Sequence, residues 1–495
     1  MGNPMLCLPQ MFCSGMIVQR DLPIYVFGTA EIGGLLEVEF DGVVTRKEIS
    51  AGSFEIQLPS HAAGRGLVMK FRFHDEVIRF DDVYCGEVWV AGGQSNMAMQ
   101  LRETTEYSSE KANLDTPDIR LYTVGRNLYS NPADYPLGYD WVCNPDLPWE
   151  GCNAENAMFF SAVGYHFAQC IYRELDVPVG IINCNVGGSS IFNWMPSDVI
   201  LSSSKFASVY TDFEQKMSVI NRDEALEKYI RYLDHLKEEL ASSRFSEENG
   251  GDNYAVFYEE LGPYTMNQPC NLYHSMLRRV SKYTARGMIW YQGESEAFSE
   301  SSGIYAEAME KLTGHLRELS GYCDYAFHYV QIAPWQNDDI RDWEGICDAQ
   351  RRFHLSYPNY GMVTIGDCGA GDDIHPPVKM LVGQRLAAAA CTLTYGIPQP
   401  FCGPVARNAY IENDTVVVEF IYGDGLDGQD LTAEVEYADG SVCSESAYVE
   451  QGRLFVNISR EAPEAVRYGW CSDYRIGLYN SCRLPASVFR LELAV

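Results

Sequence analysis

The hydrophobic and polar positions divide the chain into three stretches. Up to about residue 80, alternating or β-rich runs such as LLEVEFDGVV and SFEIQLPS are broken by Gly, Asp and Pro, which predicts an all-β domain over 1–80. Between 81 and 398, apolar runs such as VWVAG, VGIINC and GMIWYQ alternate with amphipathic segments, which predicts a mostly parallel α/β sheet with both faces covered. The β pattern returns in TVVVEFIYG and VFRLELAV, so 399–495 is predicted to be a second all-β domain.

One segment of the α/β stretch, at about 200–270, does not alternate. Between Asp223 and Ala241 the apolar residues fall on one helical face, and Asn221 with Glu224 three residues later resembles a capping box. The serine- and acid-rich run SSRFSEENGGDN follows this helical pattern. We predict an inserted helical element here, and two interpretations stay open: a cover for the mouth of an active site, or a peripheral embellishment.

Composition and charge narrow the classes of partner. The 495 residues are 46% hydrophobic, enough for a sizeable core, and 37 Lys and Arg against 68 Asp and Glu give a net charge of −31. Basic residues are nowhere clustered in the sequence, whereas binding to a phosphate backbone or an anionic membrane requires clustered cations. We therefore expect neither a nucleic acid nor a membrane as a partner, and the oligomeric state is left open.

The cysteines and the N-terminus indicate a reducing compartment. Sixteen cysteines occur without regular spacing and without a C-x-x-C pair, so neither a disulfide framework nor a zinc or redox motif is indicated. The first residues lack a basic segment followed by an apolar one, and the sequence has no run of 18 apolar residues. We expect a cytoplasmic protein, or a secreted one if a leader has been removed.

Four short motifs carry candidate catalytic residues: GGQSNM at 92–97, GGSS at 187–190, WYQGES at 290–295 and DDIHPP at 372–377. A serine behind two glycines at the carboxyl end of a parallel strand presents its hydroxyl at the crevice where open α/β sheets bind ligands. A histidine three residues after an aspartate can be oriented by that carboxylate and can accept a proton from a serine. Ser95, His375 and Asp372 are therefore a candidate nucleophile, base and carboxylate.

Together, the four motifs resemble blocks I, II, III and V of the SGNH (GDSL-like) hydrolases, in the branch of sialate O-acetylesterases and acetylxylan esterases. The resemblance extends along most of the chain, since LPQMFCSGMIVQRDLPIYVFGTA is similar to the opening of that branch and HPPVKMLVGQRLAAAA to its terminal helix. It implies an α/β fold in which an SGNH-hydrolase three-layer α/β/α domain with a parallel sheet is flanked by N- and C-terminal all-β domains.

The resemblance also implies the chemical role of each candidate. Ser95 matches the nucleophile, His375 the base and Asp372 the triad carboxylate, in keeping with the need of a serine hydroxyl for an adjacent base. The implied oxyanion donors are the N–H groups of Ser95 and Gly188 and the side chain of Gln292, and the implied substrate contacts are Asn96, Tyr273 and His274. No metal or organic cofactor is required. Glu294 is expected to hydrogen-bond neighbouring loops rather than to act as an acid.

These residues and the resemblance favour a serine carbohydrate O-acetylesterase that acts on an O-acetylated sugar. A sialate O-acetylesterase is the first expectation, on the resemblance alone, and an esterase of acetylated xylan or another acetylated oligosaccharide is the alternative within the same chemistry. A third interpretation, from a different class, is a noncatalytic carbohydrate-binding protein that uses some of the 32 Tyr and 8 Trp as platforms for sugars. The full set of Ser95, Gln292, Asp372 and His375 argues against that third interpretation.

Overall fold

A computed structural model describes residues 5–126, 145–240, 258–298, 301–337 and 342–494 of the chain. In the N-terminal region the alternating pattern forms mainly antiparallel strands, and the apolar members Leu36, Val38 and Phe40 of one strand are buried. The strands of this region are β1 (Leu6–Cys7), β2 (Ile17–Gln19), β3 (Ile24–Ala30), β4 (Gly34–Phe40), β5 (Val43–Ile49), β6 (Gly52–Leu58), β7 (Gly64–Phe73) and β8 (Glu76–Gly93).

The α/β stretch builds a central sheet with the strand order β10-β9-β11-β8-β12-β13-β14. All neighbours along this path are parallel except β10 and β9, and β11 and β12 are buried along their whole length, as strands covered on both faces must be. The strands added here are β9 (Thr116–Thr123), β10 (Leu147–Cys152), β11 (Val179–Asn185), β12 (Gly287–Tyr291), β13 (Ala326–Val330) and β14 (Met362–Val363).

Strand β8 belongs to both the N-terminal region and the central sheet. Near its start it pairs antiparallel with β7, with Phe80 opposite Met69, and near its end it pairs in parallel with β11 and β12. Its 18 residues therefore carry backbone hydrogen bonding from one region into the other. The boundary predicted at residue 80 falls inside this continuous strand.

Helices pack on both faces of the central sheet. Successive side chains of a strand point to opposite faces of a sheet. On one face, the Trp89 ring of β8 lies 5.1 Å from the ring of Phe167. On the other face, the next residue, Val90, lines a small cavity with Leu277 and Leu316. The fold is thus a mixed α/β structure with several sheets. The α-helices are Ser95–Ala98, Tyr107–Glu110, Ala154–Ala157, Ala162–Leu175, Ser197–Leu201, Ala207–Ser218, Arg222–Leu240, Arg278–Val280, Ser302–Ser320, Trp343–Ser356 and Met380–Leu393.

The C-terminal region is a sheet that is tied to the central one by a buried arginine. Arg351, on the helix Trp343–Ser356, pairs with Asp348 at 2.7 Å and donates to the carbonyl oxygens of Ala406 and Arg490 at 2.6 and 3.2 Å. Seven strands follow the order β15-β16-β20-β19-β18-β21-β23, and β17 pairs with β22. Their bounds are β15 (Val405–Glu412), β16 (Thr415–Ile421), β17 (Asp427–Gly428), β18 (Leu431–Tyr437), β19 (Val442–Glu450), β20 (Arg453–Asn457), β21 (Pro463–Tyr468), β22 (Leu478–Tyr479) and β23 (Phe489–Glu492).

The segment that interrupts the α/β alternation is helical, as its pattern predicts. Asn221 accepts from the backbone N–H groups of Asp223 and Glu224 at 3.1 and 3.4 Å, and the Tyr229 ring of the helix that follows stacks on Tyr264 with centroids 4.7 Å apart. The run SSRFSEENGGDN at 242–253 lies outside the described residues.

Among the helices that the structure describes, none is both long and apolar enough to cross a bilayer. Every described cysteine is a free thiol.

Candidate active site

Ser95 lies at a sharp turn where β8 ends at the carboxyl edge of the central sheet. Gly93 has a φ of 130°, and a Cβ there would come within 2.1 Å of the Tyr291 carbonyl oxygen on the paired strand. Glycine at 93 therefore lets the chain turn while β8 stays hydrogen-bonded to its neighbour, and Gln94 N–H donates to Tyr291 at 3.0 Å. Ser95 starts the one-turn helix Ser95–Ala98 and is half-buried, so the turn presents its hydroxyl at the sheet edge.

The loop after β11 brings a second glycine to the same edge. Gly188 is exposed with a φ of 69°, and the neighbouring Ser189 is fixed because its hydroxyl donates to Val186 O at 2.8 Å and accepts from Trp194 Nε1 at 3.0 Å. Within the described ranges, neither the Ser95 N–H nor the Gly188 N–H donates to a protein acceptor. Both N–H groups therefore remain available to donate to a substrate oxygen.

Gln292 is fully buried, and its amide is already engaged by the protein. Its Nε2 faces three acceptors, Gln94 Oε1 at 3.2 Å, Ser189 O at 3.1 Å and the Glu296 carboxylate, while its Oε1 accepts from Tyr305 at 2.7 Å. Two N–H groups that face three protein acceptors leave none for a substrate oxygen. The arrangement favours a positioning role for Gln292, which ties three of the motifs together, over the predicted donation to the oxyanion.

Glu296 is a residue of the site that sequence reasoning missed. It is buried, and besides Gln292 its carboxylate accepts from the Ser190 hydroxyl at 2.6 Å and from Ile191 N–H at 2.7 Å. It therefore fixes the loop that carries Gly188. The signal was present in the sequence, since Glu296 stands four residues after Gln292 in a short run with two carboxylates.

His375 is half-buried on a loop that an aspartate shapes. Asp372 and Asp373 are both exposed; the Asp373 carboxylate accepts from the backbone N–H of His375 at 2.8 Å, and the Asp372 carbonyl accepts from Trp335 Nε1 at 2.9 Å. Among described residues, no hydrogen bond joins the His375 ring to the carboxylate of Asp372 or to that of Asp373. Burial and the Lys379 charge lower the pKa of His375, against the opposing effect of Asp373. The contact of the Asp373 carboxylate with the His375 backbone and its effect on the imidazole make Asp373 a candidate for the carboxylate that orients the base, alongside the predicted Asp372.

We expect Asp373→Asn to reduce kcat/KM on p-nitrophenyl acetate more than Asp372→Asn does, by about 10²- to 10⁴-fold if it orients the imidazole. Removing the Asp373 charge also removes an effect that raises the pKa of His375. Because the base must be neutral, the acid limb of the pH profile should move to lower pH in Asp373→Asn. A larger loss of kcat/KM in Asp372→Asn, with no shift of the acid limb in Asp373→Asn, would mean that Asp372 orients the imidazole.

Asn96 is 1% exposed, and both ends of its amide bind protein groups. Its Nδ2 donates to Glu294 Oε1 at 2.6 Å and to the Ile374 carbonyl at 3.0 Å, and its Oδ1 accepts from Lys379 Nζ at 2.5 Å. A side chain with no exposed polar atom cannot contact a sugar in this arrangement. The structure therefore favours a positioning role for Asn96 over the predicted contact with substrate.

Tyr273 and His274, the other predicted substrate contacts, pack beside the helix Ser302–Ser320. Tyr273 is buried with its ring 5.0 Å from that of His274 and 5.2 Å from that of His315 on the helix Ser302–Ser320. Burial and the nearby Arg278 lower the pKa of His274. In the part of the chain that the structure describes, the Tyr273 ring contacts His315 of that helix, and the His274 N–H donates to the Cys270 carbonyl at 3.1 Å.

Arg126 is a cation at the same sheet edge that the sequence patterns did not single out. It follows β9 by three residues, and its Nη2 lies 3.5 Å from Asn185 Oδ1 at the end of β11. In the strand register, Thr123 of β9 pairs with Asn183 of β11, and Asn183 pairs with Ala91 of β8. Arg126 and the serine turn therefore follow the ends of two strands that are two positions apart in the sheet. At the usual strand spacing, the axes of these two strands are about 10 Å apart. The site thus has a positive group beside the turn.

Comparisons with known proteins converge on one family. The family model described as "Carbohydrate esterase, sialic acid-specific acetylesterase" matches residues 85–228 and 253–392, more than half of the chain. Sialate O-acetylesterases of Mus musculus and Rattus norvegicus are 22% and 24% identical, each over 84% of this chain and 79% of the relative, and that of Homo sapiens is 23% identical over 83% and 76%.

A solved structure is similar over the whole length of the chain. The crystal structure of a novel carbohydrate acetylesterase from Xanthomonas citri superposes with a TM-score of 0.77 and 26% identity, and the match covers 98% of this chain and 99% of that one. The similarity therefore includes both β regions as well as the central sheet.

Proposed function

The chain belongs to the sialic acid-specific acetylesterase family of carbohydrate esterases, and from this premise we propose that it removes O-acetyl groups from sialic acids through an acetyl-serine on Ser95. The observation that carries the proposal is the convergence of the Ser95 turn, the Gly188 loop and the His375 loop around one sheet edge. The parallel sheet with helices on both faces and β regions at each end supports the SGNH three-layer architecture for the stretch 81–398.

The proposed reaction proceeds in two steps. His375 takes the proton of the Ser95 hydroxyl, whose oxygen attacks the acetyl carbonyl, and the sugar oxygen leaves with the proton from His375. Water activated by the same imidazole then hydrolyses the acetyl-serine to acetate. The Ser95 and Gly188 N–H groups donate to the oxyanion of each step, each contributing about 3 to 4 kcal/mol to the lowering of the barrier by comparison with known oxyanion holes.

Specificity for a sialic acid requires a cation for the sugar carboxylate, and Arg126 supplies one at this edge. The guanidinium lies 3.5 Å from Asn185 Oδ1, and Asn185 pairs in register with Gly93 at the serine turn. A planar guanidinium suits a carboxylate because it can donate two parallel hydrogen bonds. We propose that the carboxylate of the sugar binds here while its acetyl group lies over Ser95.

The test compares kcat/KM on an O-acetylated sialic acid, its methyl ester and an acetylated xylo-oligosaccharide. The wild type should prefer the free acid, and Arg126→Ala should lower kcat/KM on the acid about 10- to 100-fold while changing the value for the methyl ester little, since one charged hydrogen-bonding partner is lost. Arg231→Ala, on the exposed face of the helix Arg222–Leu240, is the matched control.

Three other outcomes would contradict parts of this proposal. Preference of the wild type for the xylo-oligosaccharide would make the protein an acetylxylan-type esterase. Equal losses on acid and methyl ester in Arg126→Ala would remove that residue from carboxylate recognition. Sugar binding without release of acetate would indicate the noncatalytic carbohydrate-binding alternative.

A further inference from the structure

A buried carboxyl group and a buried amine lie directly behind the serine turn, and burial raises the pKa of Glu294 to about 7 and lowers that of Lys379 to about 8. Lys379 is 0% exposed and Glu294 is 1% exposed, and the Asn96 amide lies between them. Glu294 Oε2 makes no hydrogen bond within the described residues. Burying two charged groups is costly unless their interactions compensate, and apolar side chains of similar size are often at least as stabilising. A contribution to folding stability therefore does not by itself explain why Lys379 and Glu294 are buried here.

The pair determines which way the Asn96 amide points. An ammonium can only donate, so Lys379 requires the Oδ1 atom of Asn96, and the Glu294 oxygen that faces Nδ2 at 2.6 Å takes one of its two protons. If the amide were turned over, its NH₂ would face the ammonium and its oxygen would face the Glu294 oxygen. Lys379 and Glu294 thus select one of the two amide orientations, together with the Ile374 carbonyl, which also accepts from Nδ2.

The selected orientation joins the nucleophile turn to the base loop. The second proton of Asn96 Nδ2 is donated to the Ile374 carbonyl at 3.0 Å, one residue before His375. Asn96 itself is the residue after Ser95. Lys379 follows the base by four residues, and its ammonium lies 5.3 Å from the centre of the Tyr291 ring, at the end of β12. One amide therefore connects the neighbours of Ser95 and His375.

We propose that Glu294 and Lys379 are positioning residues whose joint hold on the Asn96 amide sets the distance and orientation between the Ser95 hydroxyl and the His375 imidazole. The proposal rests on the proposed function of Ser95 and His375. Neither charged side chain contacts the substrate in this scheme. A misplacement of about 1 Å between reacting groups can lower the rate about 10²-fold. The orientation of the Asn96 amide is therefore expected to have a measurable effect on kcat.

The charges that face His375 give this role a distinct pH signature. They are Lys379 at the end of its own loop, Asp373 within that loop and Glu103 from the neighbouring turn Leu101–Glu103. Lys379 lowers the pKa of His375, so its replacement by a neutral residue should raise that pKa and move the acid limb of kcat to higher pH. Lys379 itself is faced by Glu294, Cys368, Asp373 and Glu106.

The experiment compares Lys379→Met, Glu294→Leu, Glu294→Gln and the double variant Glu294→Gln/Lys379→Met. Lys379→Met and Glu294→Leu should each lower kcat on p-nitrophenyl acetate about 10²-fold with KM little changed. Glu294→Gln should stay within a few-fold of wild type, because its amide oxygen still accepts from Asn96. Lys282→Met, which removes an exposed ammonium paired with Glu55 at 3.1 Å, is the matched control for loss of a lysine charge.

The double variant separates positioning from stability. It removes both buried charges, so it should recover the thermal unfolding midpoint that Lys379→Met loses by leaving Glu294 alone. Under the proposal its kcat stays about 10²-fold low, because nothing fixes Asn96 Oδ1. Recovery of kcat together with the unfolding midpoint would overturn the proposal, as would full activity of Lys379→Met and Glu294→Leu.

A second readout keeps this test independent of the substrate. The rate at which paraoxon, an organophosphate, labels Ser95 depends on the same serine and histidine but on no sugar. Labelling should slow about 10²-fold in Lys379→Met and in the double variant, and unchanged labelling in both would overturn the positioning role. A wild type that is labelled but releases no acetate from any acetyl ester would contradict the proposed function, and the labelling rates alone would then decide the positioning role.

Discussion

Replacing Ser95 with alanine should lower kcat for acetyl-ester hydrolysis by about 10⁴- to 10⁶-fold, the range found when the nucleophile of a serine hydrolase is removed. The thermal unfolding midpoint should stay close to that of the wild type. Ser95 is half-buried, and its hydroxyl makes no hydrogen bond to any residue that the structure describes, so the substitution leaves no buried partner without its bond. Release of p-nitrophenol from its acetate ester, together with a thermal melt, measures both quantities.

Ser202→Ala is the matched control for this experiment. Its hydroxyl is exposed and donates to the Val199 carbonyl at 2.7 Å, and the residue lies outside all four motifs. The control should keep wild-type turnover and a similar unfolding midpoint. Turnover within tenfold of wild type in Ser95→Ala would mean that another group is the nucleophile.

Replacing His375 with alanine should lower kcat/KM by about 10⁴-fold or more, because no other group would take the serine proton. In the wild type the acid limb of kcat/KM should lie below the usual histidine pKa of about 6.5. Burial and Lys379 lower the pKa of His375, so its neutral, base-competent form persists to more acidic pH. The alanine variant should lose this limb, and added imidazole should restore part of the rate.

His235→Ala provides the control for histidine removal, since His235 is exposed on the helix Arg222–Leu240. It should retain both the rate and the acid limb. An unchanged pH profile in His375→Ala would assign the limb to a different group. A limb in the wild type that lies above pH 6.5 would contradict the arrangement of charges around His375.

Much of the organisation of this chain follows from local patterns. The alternation in LLEVEFDGVV forms β4 and the start of β5, and the apolar runs around Trp89, Ile181 and Trp290 form the buried parallel strands β8, β11 and β12. Asn221 caps the inserted helix as its sequence context predicts. The resemblance to sialate O-acetylesterases is confirmed by the family model, and the mixed α/β class by the sheets.

Side-chain roles were harder to predict than strands. Gln292 and Asn96 stand in motifs whose resemblance implied an oxyanion donor and a substrate contact, yet both amides are buried and bonded to other protein groups. The residue type in a motif determines which hydrogen bonds a side chain can make. It does not determine which groups of the folded protein become its hydrogen-bond partners. Asp372 and Asp373 are adjacent in sequence, yet it is the Asp373 carboxylate that accepts from the His375 backbone N–H.

The three-part pattern of strands and helices and the glycine turn before Ser95 are predictable from the sequence, because periodicity and turn chemistry depend on neighbours within a few residues, and the family was predicted from the resemblance of its four motifs. The tertiary structure alone decided that β8 runs through the predicted boundary at residue 80, that Arg126 stands at the serine edge, and that Glu294 and Lys379 share the Asn96 amide. The last two groups lie 198 and 283 positions from Asn96 along the chain. Hydrogen-bond polarity between such distant residues is set only when the sheet brings its strand ends together, and no local pattern encodes it.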